Sequence, residues 1–227
     1  MTNHAVHWGE GLFLRPQHLQ AAERHSREEL RISENWGQGY PYGLQSIDID
    51  EDALANWRVV LRTCHIRLHD GTHLRYPEDA NLAALDLPKD AFDRQSTVMV
   101  HLAVPPLRLG HSNAAPQAGD ATVRYLVDSM EIEDENQPGN PQPVEVRWAN
   151  ARLIVNEDEL AGYESLPIMR LRRGTMAEAP PEIDPEYIPP VVTCDAWPIL
   201  LHNVIDSVCQ QIGSRVESQT RQMFDRN

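Results

Sequence analysis

The stretch Cys64-His65-Ile66-Arg67-Leu68-His69-Asp70-Gly71-Thr72-His73-Leu74-Arg75-Tyr76 decides the fold class. Val60, Cys64, Ile66 and Leu68 fall on one face, interrupted by Arg62, while Thr63, His65 and Arg67 fall on the other. A period of two is the signature of a strand. His69-Asp70-Gly71 then reads as a three-residue hairpin loop, a type I turn followed by Gly71 in the left-handed region. That loop pairs Leu68 with Thr72, Ile66 with Leu74 and Cys64 with Tyr76, all on one face. A two-residue loop at Asp70-Gly71 would set Ile66 against Arg75 and mix the faces, so it is rejected.

The same period recurs along the chain. Gln45, Ile47 and Ile49 alternate with Ser46 and Asp48. Val98, Val100, Leu102 and Val104 have Met99 and Ala103 between them, the pattern of a strand buried on both faces, and Pro105-Pro106 ends it. Residues 107–121 read as a loop and residues 122–133 as a strand. Gln137-Pro138-Gly139-Asn140-Pro141 is a loop before Val144, Val146 and Trp148. After Ala149-Asn150 the apolar set moves to Leu153 and Val155, a phase change that predicts a bulge or bend where a strand crosses between sheets. Ile168 to Leu171 supplies one more short strand. Regular strands with helices only at the termini predict a mainly β chain, an antiparallel β-sandwich with an N-terminal helix and a long C-terminal helix.

The two helices flank the sandwich. Residues 16–33 form the first, opened by Pro16 and supported by Glu23–Arg27 and Arg24–Glu28 pairs. Its apolar stripe of Leu19, Ala22 and Leu30 is thin, so it needs another surface to lie on. Asn35 to Gly43 then break it with glycine, proline and aromatics. At the other end, prolines crowd residues 177–190 and predict an extended, semi-rigid linker. Asp195 is the expected N-cap, with Pro198 in the first turn. Leu201, Ile205, Val208, Ile212 and Val216 then keep helical spacing over about 48 Å if the helix reaches Arg226. That stripe either docks on its own sandwich or joins a parallel bundle, and the linker favours the bundle by leading it away. The expected division is 1–190 for arm, helix and sandwich and 191–227 for the start of a helical extension. The pattern is still running at Asn227, so a truncated chain is expected.

Composition narrows the partners. The 227 residues carry 20 Lys plus Arg against 34 Asp plus Glu, a formal charge of −14. Such a body repels phosphate backbones and anionic leaflets, so neither nucleic acid nor membrane insertion is expected. No signal peptide and no continuous apolar run of membrane-spanning length is visible, which predicts a soluble cytoplasmic chain. Cys64, Cys194 and Cys209 show no metal spacing and read as buried, reduced thiols.

No motif carries catalysis, so the chain reads as a binding protein and not an enzyme. His65, His69 and His73 are four apart, but on a hairpin four residues span about 13 Å, and solvated histidines explain them better than a zinc site. His18 and His25 lack an H-E-x-x-H pattern. Gly37-x-Gly39 lacks the third glycine of a dinucleotide loop. The acidic cluster Glu131–Glu135 reads as a solvated face. No cofactor and no metal is expected.

What remains is the opening segment, Trp8-Gly9-Glu10-Gly11-Leu12-Phe13-Leu14-Arg15-Pro16-Gln17-His18-Leu19. Chain ends are usually frayed and polar, and this one is apolar, so it docks on something. It resembles the opening signature of the TssK family, baseplate proteins of the type VI secretion system, whose Trp-x-Glu-Gly-x-Phe-Leu-x-Pro-Gln-His pattern is met by Trp8, Glu10, Gly11, Phe13, Leu14, Pro16, Gln17 and His18. Leu19 stands where that family often has an aromatic. The Asp70-Gly71-Thr72 hairpin, the segment Tyr125–Asn136 and the passage at 188–201 are similar too. The resemblance implies a shoulder domain of the phage receptor-binding β-sandwich type, then a helical neck from near Asp195, with a C-terminal head absent here. It implies a homotrimer without catalysis whose shoulder joins the TssF–TssG wedge and whose head reaches the membrane complex, at the inner face of the inner membrane. Trp8, Glu10, Leu12, Phe13, Leu14, Arg15, Gln17 and His18 become the partner-binding candidates. Leu201, Ile205, Val208, Ile212 and Val216 become the oligomerisation candidates. Within the arm, Phe13 is expected in the core, with Trp8 and Leu12 nearer the contact. The rival is a carbohydrate-binding sandwich module, which needs an exposed aromatic platform from Tyr40, Tyr42 and Trp57.

Overall fold

The computed structural model describes residues 3–93, 95–116, 122–174 and 179–224. The chain divides into two compact units, Met1–Tyr42 and Gly43–Asn227. The first holds the arm and helix α1, Pro16–Gly37. The helix runs past residue 33 through Asn35 and Trp36, and Gln38 caps it by donating its N–H to the Glu34 carbonyl at 2.9 Å. The expected Glu23–Arg27 pair forms, and Arg31 adds a pair with Glu28 at 2.6 Å. No residue of α1 is buried, so the covering surface that its thin stripe calls for is not met here.

Among its described residues the second unit has twelve strands. They are β1 Gly43–Ile49, β2 Arg58–Val59, β3 Leu61–Arg67, β4 His73–Tyr76, β5 Ala80–Leu82 and β6 Leu85–Asp86, then β7 Thr97–Val104, β8 Ala114–Pro116, β9 Tyr125–Ile132, β10 Gln142–Ile154, β11 Glu164–Arg172 and β12 Glu182–Ile183. One sheet has the order β1-β3-β4, and the largest has β12-β11-β7-β10-β9-β8 with β5 beside β10. Strands β2 and β6 make a small third ladder. The pairings are antiparallel except for two short ones, β5 with β10 and β8 with β9. The expected class, a mainly β antiparallel sandwich with a helix at each end of the chain, is what the structure shows.

The deciding hairpin has the expected register: Cys64 faces Tyr76 and Ile66 faces Leu74. Leu68 N–H donates to the Thr72 carbonyl at 2.9 Å, and Gly71 sits at φ +82°. Leu68, Ile66 and Cys64 are buried, as one core-facing side requires. The phase change in β10 also has a structural cause. Residues 142–149 pair with β9, whereas Arg152–Ile154 pair with β7, so one continuous strand passes from one ladder to the next. Strand β7 lies in the centre, and Val100, Leu102 and Val104 on one side and Ala103 on the other are buried.

Several short elements lack a period long enough to read. Helix α2, Glu51–Ala55, is one turn capped by Asp50, whose carboxylate accepts the Ala53 N–H at 3.1 Å. Strand β8 falls inside residues read as loop, and residues 117–121 of that reading lie outside the described ones. Strand β11 is longer than the four residues expected.

The proline-rich passage is corrected most. From residue 179 on it is bound to the domain and does not stand off as a linker, while residues 177 and 178 lie outside those described. Strand β12 pairs with β11, and the buried Asp184 accepts from Arg170 Nε at 2.6 Å. Leu44 N–H donates to the Pro190 carbonyl and Val192 N–H to the Leu44 carbonyl, both at 2.8 Å. Gly43 permits this approach, since a Cβ there would stand 2.7 Å from the Pro190 carbonyl carbon, and its φ is +136°. Asp195 is not an N-cap. It lies in a short 3-10 turn, Cys194–Ala196, and the helix starts after Trp197 with Pro198 at its first position. Helix α3 is Asp206–Phe224, preceded by a π-helical stretch, Leu200–Ile205, in which Asp206 N–H donates to the Leu201 carbonyl.

Candidate functional site

The arm is ordered by its own residues. Leu12 N–H donates to the Gly9 carbonyl at 3.3 Å, and Gly11 takes φ +79°, a turn that needs glycine. Arg15 is extended and Pro16 opens α1. A helix start leaves N–H groups without partners. Here His18 stands three residues after Arg15 and serves that end: Arg15 N–H donates to His18 Nδ1 at 3.0 Å, and His18 N–H donates to the Arg15 carbonyl at 3.0 Å. The His18 ring thus supplies the N3 half of a capping box, with a ring nitrogen in place of the usual Glu or Gln oxygen, while the return bond runs to the Arg15 backbone carbonyl because an arginine side chain has no acceptor. The Trp8 ring stands tilted over the His18 ring at 6.4 Å. One side chain of the Pro16-Gln17-His18 motif thus starts the helix and holds the arm against it. The capping role of His18 was legible only as its position three residues on.

The same geometry pushes the apolar side chains outward. Phe13 is 79% exposed, Trp8 and Leu14 are each 54% exposed and Leu12 41%. Glu10, Arg15 and Gln17 are exposed beside them. Phe13 is therefore exposed in the single chain and not a core residue, contrary to expectation. Trp36, at 87%, and Tyr40, at 79%, extend the exposed aromatic surface of this unit.

The second candidate surface is the C-terminal helix. Its root is anchored by Trp197, which is buried, with Leu201 N–H donating to the Trp197 carbonyl at 3.1 Å. Leu201 and Ile205 are half-buried, and Val208, Ile212 and Val216 are exposed along one stripe. The stripe is uncovered in the single chain.

The remaining candidates are placed as follows. His65 Nε2 lies 3.6 Å from Glu78, and His69 Nδ1 lies 3.6 Å from Glu164 on β11. His25 Nδ1 meets the Asn3 carbonyl at 2.9 Å. Among the described residues no group of three His, Cys, Asp or Glu side chains is arranged to hold a metal ion. Only Cys64 is a buried thiol, its pKa pushed up to about 12 by burial, whereas Cys194 and Cys209 are exposed, which corrects the expectation for two of three. Tyr40 and Tyr42 pack edge to face at 6.1 Å, and Trp57 packs edge to face on Phe92 at 6.0 Å. These are not the flat, parallel platform that a sugar ring stacks on. No helix among the described residues is long and apolar enough to cross a membrane.

Fold and surfaces together define a class: a mainly antiparallel β-sandwich protein with apolar side chains exposed on the arm and along the C-terminal helix. A family model described as Bacterial Type VI secretion, EvfL, ImpJ, VasE matches residues 18–227, so the chain belongs to that family. The type VI secretion system baseplate component TssK1 of Pseudomonas aeruginosa is 27% identical over 207 residues, which cover 87% of this chain and 44% of that protein. The chain thus spans under half the length of this relative. A crystal structure of TssK superposes with a TM-score of 0.79 at 26% identity over 96% of this chain and 49% of that one. A cryo-electron microscopy structure of a TssK-TssF-TssG baseplate subcomplex contains a chain of the same fold, with a TM-score of 0.83 at 23% identity over 96% of this chain and 72% of that one.

Proposed function

We propose that this chain is the shoulder and first neck segment of a TssK-type baseplate adaptor, which docks a homotrimer onto a TssF–TssG wedge. The observation that carries the reading is the arm: its backbone is fixed by the His18 cap, yet Trp8, Leu12, Phe13 and Leu14 stay exposed. A rigid segment that presents aromatics loses little entropy on binding, which is the character of an interface anchor. The stripe Leu201–Val216 serves trimer formation in the same reading. In the full-length protein a C-terminal head links the baseplate to the membrane complex, and the assembly sits in the cytoplasm against the inner membrane. Its role is structural, without catalysis. The test is co-purification with TssF and TssG. Binding that is lost in the Trp8→Ala, Leu12→Ala double variant supports the reading. Full wedge affinity in that variant, with the fold retained, removes the arm as a binding element.

A further inference from the structure

Strands β9 and β10 continue beyond the body of the domain as a two-stranded ribbon. Every residue from Asp128 to Glu145 is exposed. Met130 lies opposite Val144, Asp128 opposite Val146, Ile132 opposite Gln142 and Leu126 opposite Trp148. Directly opposed residues share a face. One face therefore carries Leu126 with Trp148, Val146 with Asp128, Met130 with Val144 and Ile132 with Gln142, a mostly apolar strip that begins at the buried Leu126 and runs into solvent. Met130 is 46% exposed, Ile132 45% and Val144 41%. The other face carries Val127 with Arg147, Ser129 with Glu145 and Glu131 with Pro143, and Arg147 is stacked on Tyr125 at 4.7 Å. Among the described residues no core lies beneath this face, so the folding of this unit does not explain an amphipathic ribbon.

Charge identifies what covers it. Residues 128–146 contain six carboxylates, Asp128, Glu131, Glu133, Asp134, Glu135 and Glu145, and no Lys, Arg or His. A second copy of the ribbon would bring the same charge and be repelled. We propose that the β9–β10 ribbon is a second docking face, separate from the arm, that takes a surface with an apolar centre and a Lys/Arg rim on the same baseplate partner. This rests on the reading above, that the chain docks on a baseplate wedge.

The experiment measures binding of the purified TssF–TssG complex to the chain at several salt concentrations. Three variants are compared: the arm variant Trp8→Ala, Leu12→Ala; a strip variant Met130→Ser, Val144→Ser; and a charge variant Glu133→Lys, Asp134→Lys, Glu135→Lys. All the ribbon positions are exposed, so unchanged melting curves certify the fold. The strip variant is expected to lose at least about ten-fold in affinity. The charge variant is expected to associate more slowly and to lose most of its salt dependence. Wild-type affinity and salt dependence in both ribbon variants, while the wild-type chain binds, overturn the second face and leave the wedge reading standing. Absence of binding by the wild-type chain overturns both.

Discussion

Arg124 reaches across the sandwich to Asp70: its Nη2 donates to the Asp70 carboxylate at 2.8 Å, with only 3% of the Arg124 side chain exposed. The same guanidinium donates to the Thr72 hydroxyl and, through Nη1, to the Pro105 carbonyl at 2.9 Å. Asp70 and Thr72 flank the hairpin glycine, and Pro105 follows the central strand. One buried cation therefore ties the hairpin tip, the end of β7 and the start of β9 together. Removing one partner of a buried pair strands the other. Arg124→Met is expected to cost about 3 kcal/mol in chemical denaturation. A loss below about 0.5 kcal/mol, the scale of an inert surface change, would show that the clamp is not needed.

Gly71 closes the hairpin at φ +82°. A β-branched residue is strained there, so Gly71→Val is expected to destabilise by about 1–3 kcal/mol. An unchanged melting temperature would refute this reading of the loop.

Asp184 holds the proline-rich passage to β11 through Arg170. Burial alone would raise its pKa, but the Glu186 N–H and the Arg170 guanidinium outweigh that and hold it below the usual aspartate value. A depressed folded-state pKa gives stability that is full above the unfolded pKa and is lost as pH falls through the folded one. The wild type is therefore expected to lose stability below about pH 4 more steeply than Asp184→Asn, with the variant already weaker at pH 7. Parallel acid titrations of the two would contradict the latch.

Phe13→Ala separates anchor from core. A buried phenylalanine costs about 3–5 kcal/mol when truncated. At 79% exposure, Phe13 is expected to cost under about 0.5 kcal/mol of stability. Wedge affinity is expected to fall by about 2 kcal/mol or more. A large drop in melting temperature would return Phe13 to the core.

Ile205→Asp with Ile212→Asp places charges in the proposed trimer seam. Uncompensated charge there is disfavoured, so a folded monomer is expected by light scattering. If the unmodified chain is already monomeric at high concentration, the helix does not by itself drive assembly.

The sequence by itself determined the strand class, the hairpin register and the passage of β10 between ladders, because side chains alternate with a period of two and one-sided burial tolerates no slip. It also determined that Pro16 starts the first helix and that an apolar segment opens the chain. Tertiary structure alone decided what touches what. Arg124 and Asp70 are 54 residues apart, and nothing local marks either as a buried partner. Phe13 has the character of a core residue, yet it is 79% exposed in the single chain. The prolines of residues 179–190 look like a free linker because proline removes donors, yet the carbonyl of Pro190 and the carboxylate of Asp184 still accept, and β1 and β11 supply their partners. Local preference sets the conformation of a segment; whether it lies on the domain or leaves it depends on groups distant in sequence.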